Sequence, residues 1–179
     1  MADYIIIDGY NIINTWGMLE HPGKAAFEQA RDRLIDIMHN YRGFTGYDIT
    51  IVFDAYRTDS KKRTVEKNGN ITVVYTKKNE SADVYIERFV NDVLEDAPKK
   101  TRIWVATSDH LQQTIASAKG ALIVSAMELK ADVERTTKER NTRFEINDNR
   151  PNHIFERLSG DKIDRLKNIA NNSGDDDLR

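Results

Sequence analysis

Four aspartates lie where they could act together on a phosphodiester. Asp8, Asp54 and Asp109 each come directly or shortly after a short β-branched segment, and Asp83 lies in the first turn of a predicted helix, with Glu80 just before it. In α/β sheets, ligands bind at the edge formed by the carboxyl ends of parallel strands. We therefore expect these five carboxylates to converge on one pocket.

Converging carboxylates repel one another and raise each other's pKa, so a bound divalent cation is the natural way to keep them ionised. Mg²⁺ or Mn²⁺ suits such hard oxygen ligands, and the chain has no cysteine to offer a thiolate. A cation of this kind can orient a phosphodiester and ionise a water molecule as the nucleophile. The acidic set thus predicts a metal-dependent nuclease.

Each acid also has a purely structural interpretation. Asp8 could form a turn with Gly9, Asp54 could begin a loop, Asp83 could favour a helix amino terminus, and Asp109 could cap the next helix. Taken together, aspartates at four strand or helix ends favour a site.

The elements that must position these acids alternate along the chain. Apolar, β-branched segments predict five strands, at residues 4–7, 49–53, 71–75, 102–106 and 121–124. Apolar spacings of three and four predict helices at residues 25–41, ended by Gly43 and Gly46, at 82–97, at 110–119, and from about residue 125. This alternation predicts an α/β fold with a central parallel five-stranded sheet flanked by helices.

The length of 179 residues fits one main domain, which we place at residues 1–143. Residues 144–170 form an extension with a helical pattern at Ile163, Leu166 and Ile169, and residues 171–179 are expected to be a disordered tail. Neither a signal peptide nor a membrane-spanning segment is predicted, and we expect a cytoplasmic protein.

Four ordered motifs carry a resemblance to a known family: Asp8-Gly9-Tyr10-Asn11-Ile12-Ile13, Val52-Phe53-Asp54-Ala55, residues 76–83 and Ala106-Thr107-Ser108-Asp109. Together they resemble the YacP-like NYN-domain proteins of bacteria. The resemblance implies a PIN-like three-layer fold with strand order 3-2-1-4-5. It also implies endoribonuclease activity, with mRNA cleaved in association with the translating ribosome.

The resemblance also assigns roles to residues. Asp8 and Asp83 would be central to catalysis, with Asp54, Glu80 and Asp109 completing the metal pocket. Asn11 would steady Asp8 or contact the phosphate, and Ser108 would support the site. Ser81 stands where the family usually has threonine, a mild change because the hydroxyl remains available for capping.

A basic segment adjoins the acids. Residues 55–78 contain seven basic and two acidic residues, although the whole chain has a net charge of −2. We predict that this segment is a mobile loop that binds RNA through Tyr56, Arg57, Lys61, Lys62, Arg63, Lys67, Lys77 and Lys78. The alternative is a solvated surface loop. Core packing is favoured over base stacking for Tyr75, and the basic residues between Arg135 and Arg143 fit an exposed helix with internal ion pairs.

Other enzyme classes fit poorly. A haloacid dehalogenase phosphatase needs an acid two residues after its nucleophile, where this chain has Tyr10, and the glycine-rich loop of P-loop NTPases is missing from the sequence. The serious alternative is a non-catalytic RNA- or ribosome-binding module that keeps the acids for stability. A complete set of mutually repelling carboxylates favours the enzyme.

Overall fold

The computed structural model describes residues 3–21, 23–54, 62–69, 71–96 and 101–148. In this part of the chain, one sheet contains six strands in the order β3-β4-β2-β1-β5-β6. The strands are β1 (Asp3–Asp8), β2 (Asp48–Phe53), β3 (Thr64–Asn68), β4 (Ile71–Tyr75), β5 (Arg102–Ala106) and β6 (Leu122–Val124).

The five predicted strands lie in the predicted order. They correspond to β4, β2, β1, β5 and β6, and within this set of five all neighbouring strands pair in parallel. This arrangement confirms the α/β fold and brings the carboxyl ends of β4, β2, β1 and β5 to one edge of the sheet, which we call the carboxyl edge.

The sixth strand corrects the predicted five-stranded, wholly parallel sheet. β3 pairs antiparallel with β4 on the outside of the sheet, within the segment that we predicted to be a loop. Gly69, with a φ of +58°, connects the two strands in a short hairpin. All five residues of β3 are exposed. The strand therefore lacks the alternation of buried and exposed residues on which the prediction depended.

Helices cover both faces of the sheet. They are α1 (Gly9–Thr15), α2 (Lys24–Thr45), α3 (Ala82–Asp96), α4 (His110–Ala118) and α5 (Ala126–Asp148). α1 was not predicted, because seven residues are too few to show a helical period. α2 continues through Gly43 and ends at Gly46, which has a φ of +74°. Gly46 is therefore the true stop signal, and the predicted stop at Gly43 was wrong.

The core consists of two apolar layers, one on each side of the sheet. The central residues of β1 alternate between them: Ile5 and Ile7 join one layer, and Ile6 joins the other. α1, α2 and α5 supply the layer around Ile7, and α3 and α4 supply the layer around Ile6. A strand buried on both faces is typical of the centre of a parallel sheet.

The chain divides into two units, Met1–Lys138 and Glu139–Arg179. α5 begins with a capping box in which the Ser125 N–H donates to Glu128 Oε2 at 2.8 Å and the Glu128 N–H donates to Ser125 Oγ at 3.2 Å. The helix continues past residue 143 to Asp148. The domain boundary at 143 stays a prediction, and the rest of the extension and the tail lie outside the described residues.

None of the described helices is long and apolar enough to cross a bilayer.

Candidate active site

Asp8 is held at the carboxyl edge by a tight turn. It is the last residue of β1 and the N-cap of α1, and its Oδ1 accepts the N–H of Asn11 at 3.1 Å. Gly9 packs so closely on Phe53 that a Cβ at this position would lie 2.3 Å from the ring. The chain can therefore turn from strand to helix here only without a side chain, and this turn fixes the position of Asp8.

The charges of neighbouring aspartates affect the pKa values of Asp8 and Asp83. Burial raises the pKa of Asp8 to about 6, and the charges of Asp83, Asp54 and Asp109 add to this effect against the lowering effect of the Asn11 N–H. Burial likewise raises the pKa of Asp83, with contributions from Asp109 and Asp54. These contributions agree with the positions of the aspartates at the ends of neighbouring strands and helices.

Two of these aspartates are positioned by α4. Asp109 is the N-cap of this helix, and its Oδ1 accepts the N–H groups of Leu111 and Gln112 at 2.8 and 3.1 Å. The Gln112 side chain is buried, and its Nε2 donates to Asp83 Oδ1 at 2.6 Å. The sequence did not reveal the role of Gln112, because its partner lies 29 residues away on another helix.

Asn11 and Ser108 connect the turn after β1 to two other segments. Asn11 Oδ1 accepts the Ser108 N–H at 2.8 Å, and Ser108 Oγ accepts the Ala126 N–H at 3.2 Å. The role of Asn11 in steadying Asp8 stays a prediction: its backbone N–H bonds Asp8, while its side chain bonds the loop after β5. We call this series of hydrogen bonds the Asn11 network.

Glu80 is not placed with the four aspartates. Its carboxylate is buried and pairs with Arg63, whose Nε donates to Glu80 Oε2 at 3.1 Å, and with the more distant Arg88 Nη1 at 3.4 Å. The hydrogen bonds from Arg63 lower the pKa of Glu80. A carboxylate engaged in this way is poorly suited to bind a metal. Its role as a ligand stays a prediction, and the geometry favours a structural role.

The predicted RNA-binding residues have different settings. Lys62, Lys77 and Lys78 are exposed near the carboxyl edge. Lys67 is also exposed but lies toward the other end of the sheet, since it pairs with Thr72 near the start of β4. Arg63 is bound to Glu80 and lies 4.7 Å from the centroid of the Tyr85 ring. Tyr56, Arg57 and Lys61 lie outside the described residues.

The aspartates supply the oxygen donors that a divalent cation needs, but they do not form a closed cage. Among the residues that the structure describes, no group of three or more His, Cys, Asp or Glu side chains lies close enough to hold a metal ion. Asp8, Asp54, Asp83 and Asp109 are the residues that would hold one.

Comparisons with known proteins identify the family. The model of the YacP-like NYN domain matches residues 5–171. The chain belongs to the YacP-like NYN family. A relative within it, the YacP protein of Bacillus subtilis (strain 168), is 40% identical over 134 residues, which cover 74% of this chain and 75% of that protein.

Solved structures agree with this assignment. The crystal structure of Rae1 (YacP) from Bacillus subtilis is 32% identical, covers 99% of both chains and superposes with a TM-score of 0.66. A mutant of the same protein is 33% identical, covers 87% of this chain and 89% of that one, and gives a TM-score of 0.70. The NYN domain is a PIN-like nuclease fold, which confirms the predicted family and fold class.

Proposed function

We propose that this protein is a metal-dependent endoribonuclease whose chemistry takes place at the four aspartates of the carboxyl edge. The observation that carries the proposal is that Asp8, Asp54 and Asp109 lie at or just after the carboxyl ends of the neighbouring strands β1, β2 and β5, and that Gln112 of the helix capped by Asp109 binds Asp83. Burial, together with the charges of the other three aspartates, raises the pKa of Asp8 to about 6. Perturbed acids of this kind cluster at functional sites. The PIN-like nuclease fold of the family supports the same conclusion.

Asp8 and Asp83 are the central acids of this proposal. Asp8 is fixed by the Asn11 N–H and Asp83 by the Gln112 amide, so both carboxylates are oriented before substrate arrives. A Mg²⁺ or Mn²⁺ ion bound there would supply the charge that orients a phosphodiester and favours ionisation of a water molecule. Asp54 and Asp109 would add negative charge that strengthens cation binding.

We further propose that the substrate is mRNA and that the translating ribosome presents it in the cytoplasm. The family resemblance supports this part of the proposal. The exposed Lys62, Lys77 and Lys78 near the acids support contact with a phosphate backbone.

The test uses the purified full chain with Mn²⁺ or Mg²⁺ on an mRNA that is either naked or being translated, with cleavage positions mapped at the new 5′ ends. We expect cleavage to stop in EDTA and in Asp83→Asn. Asp92→Asn removes an exposed carboxylate from the same helix and should leave cleavage unchanged. Equal cleavage by Asp83→Asn and the parent would contradict the nuclease proposal. Equal cleavage of naked and translated mRNA would contradict only the role of the ribosome.

The alternative is a non-catalytic RNA- or ribosome-binding module, and one observation favours it. Asp8 and Asp109 each cap a helix, so both have a structural use without any metal. In that case, binding of the ribosome would persist in Asp83→Asn, and no new RNA ends would appear with the parent protein.

A further inference from the structure

A second cluster at the carboxyl edge centres on Arg31 of α2. Its Nη1 donates to the Tyr10 hydroxyl oxygen at 3.0 Å, and its guanidinium carbon lies 5.7 Å from the centroid of the Tyr75 ring. The Tyr75 ring stacks on Phe53 with 5.7 Å between centroids, and Tyr10 meets Phe53 edge-on at 5.3 Å. Arg31 thus contacts Tyr10 and Tyr75, and the rings of both pack on Phe53. We call these three rings the aromatic platform.

The aromatic platform adjoins the aspartates. Tyr10 is the second residue after Asp8, and Phe53 directly precedes Asp54. Tyr75 is the register partner of Phe53 at the end of β4. Since β1, β2 and β4 are neighbouring parallel strands, the platform and the acids occupy the same edge of the sheet.

The guanidinium of Arg31 retains capacity to bind an anion. It has five N–H donors, and among the described residues its hydrogen bond is the one to Tyr10. Glu28 Oε1 lies 4.0 Å from Nη2, which is too far for a hydrogen bond. The Arg31 side chain is 23% exposed, and the Tyr10 and Tyr75 residues are partly exposed beside it. A charge in this position is both fixed and accessible.

We propose that Arg31 on its aromatic platform binds a backbone phosphate of single-stranded RNA, at a nucleotide that flanks the one cut at the aspartates. This inference rests on the proposed function. A planar guanidinium forms paired hydrogen bonds with phosphate oxygens, and stacking on an aromatic ring orients its plane beforehand. Tyr10 and Tyr75 are partly exposed beside Arg31, so an unpaired base next to that phosphate can contact the exposed part of either ring. The site therefore favours single-stranded over duplex RNA.

The test measures equilibrium binding of a fluorescently labelled oligouridylate to the full chain. All proteins carry Asp8→Asn so that the probe stays intact. Arg31→Gln should weaken binding about tenfold, the effect expected for one charge-assisted hydrogen-bonded contact, and should lower the salt slope by about 0.7. Arg33→Gln removes the same charge from an exposed position of α2 and should change affinity less than twofold. The affinity of Arg31→Lys should lie between those of the parent and Arg31→Gln, because lysine keeps the charge but lacks the planar guanidinium.

Equal affinity and equal salt slope for Arg31→Gln and Arg33→Gln would overturn the inference and leave Arg31 as a tie between helices. If Arg31→Gln does not fold, Arg31→Met serves instead, because its apolar stem can still pack on Tyr75. The protein should also bind the single-stranded probe more tightly than the same probe paired with its complementary strand. Equal or tighter binding of the duplex would contradict the single-stranded site. A parent chain that neither binds nor cuts RNA would overturn the proposed function as well. If the parent cleaves RNA but Arg31→Gln binds the probe with unchanged affinity, only this inference is overturned.

Discussion

Asp8 links the site to stability through its pKa. Because the folded pKa of about 6 lies above the ordinary value of 3.8, the protonated form favours folding. That contribution is complete below about pH 4 and is lost as the pH rises through about 6, at a cost of up to about 3 kcal/mol. We predict that Asp8→Asn, measured in EDTA at pH 7.5, is more stable than the parent by roughly 1–3 kcal/mol.

The measurement is urea unfolding of both proteins at pH 4 and pH 7.5. The advantage of Asp8→Asn should shrink at pH 4, where the parent carboxyl is protonated. Asp36→Asn, an exposed site on α2, should show no such pH-dependent gain. A loss of stability in Asp8→Asn at both pH values would mean that the carboxylate mainly supports the fold.

Glu80 should behave in the opposite way. Its lowered pKa means that its contribution is present above the ordinary value of 4.5 and is lost as the pH falls through the folded value. Glu80→Gln leaves Arg63 and the Lys77 N–H without their anionic partner and should cost about 1–3 kcal/mol at pH 7.5 in EDTA. Titration calorimetry with Mn²⁺ separates the two roles of Glu80. Unchanged metal affinity supports the structural role, whereas a tenfold loss with unaltered stability would show that Glu80 is a ligand.

Among the elements, the turn between β1 and α1 has the least tolerance for added volume. Gly9→Ala would place a Cβ 2.3 Å from the Phe53 ring, so either the ring or the Asp8 turn must shift. We predict a loss of about 1–3 kcal/mol from this overpacking, together with reduced cleavage.

Gly43→Ala is the matched control, because Gly43 lies within α2 and a Cβ there meets nothing within 4 Å. It should stabilise the protein by about 0.5–1 kcal/mol, the usual difference between the two residues in a helix. Thermal melts and cleavage rates of the two variants test both expectations. If Gly9→Ala and Gly43→Ala have similar melting temperatures and cleavage rates, the turn after β1 does tolerate a side chain at position 9.

The elements that the sequence predicted well are those with buried periodicity. β1, β2, β4 and β5 are continuous apolar segments, and the family resemblance supplied their order. β3 was missed because its residues are all exposed, although the Asn68-Gly69-Asn70 sequence is a hairpin signal. At the candidate site, the positions of the aspartates at strand and helix ends were predictable from the sequence, whereas their function stays a prediction. The Glu80 pair with Arg63 and the Gln112 bond to Asp83 depend on tertiary contacts between separate elements, which a single sequence does not display.

At the scale of the whole molecule, the structure divides the predicted basic residues by their distance from the site. Lys77 follows β4 at the carboxyl edge, whereas Lys67 lies near the opposite end of the sheet. We predict that Lys77→Gln weakens RNA binding several-fold and flattens its salt dependence, because one phosphate contact is lost.

Lys67→Gln is the control for Lys77→Gln, since it removes the same charge from a residue that is also exposed but lies near the opposite end of the sheet. Fluorescence anisotropy with a short single-stranded RNA at two salt concentrations compares the two variants. A larger loss of RNA affinity in Lys67→Gln than in Lys77→Gln would mean that the RNA lies along β3 and not across the carboxyl edge.

The Asn11 network gives the site a reporter that needs neither substrate nor metal. The amide hydrogens of Ser108 and Ala126 are both held by side chains in that network, so they can exchange with solvent only when it opens. In deuterium oxide, these two amides should therefore become labelled together. Asn11→Ala should accelerate the labelling of both, because the second bond depends on the position that the first gives to Ser108. The rate at which these two hydrogens exchange would then measure how often the Asn11 network opens beside the aspartates.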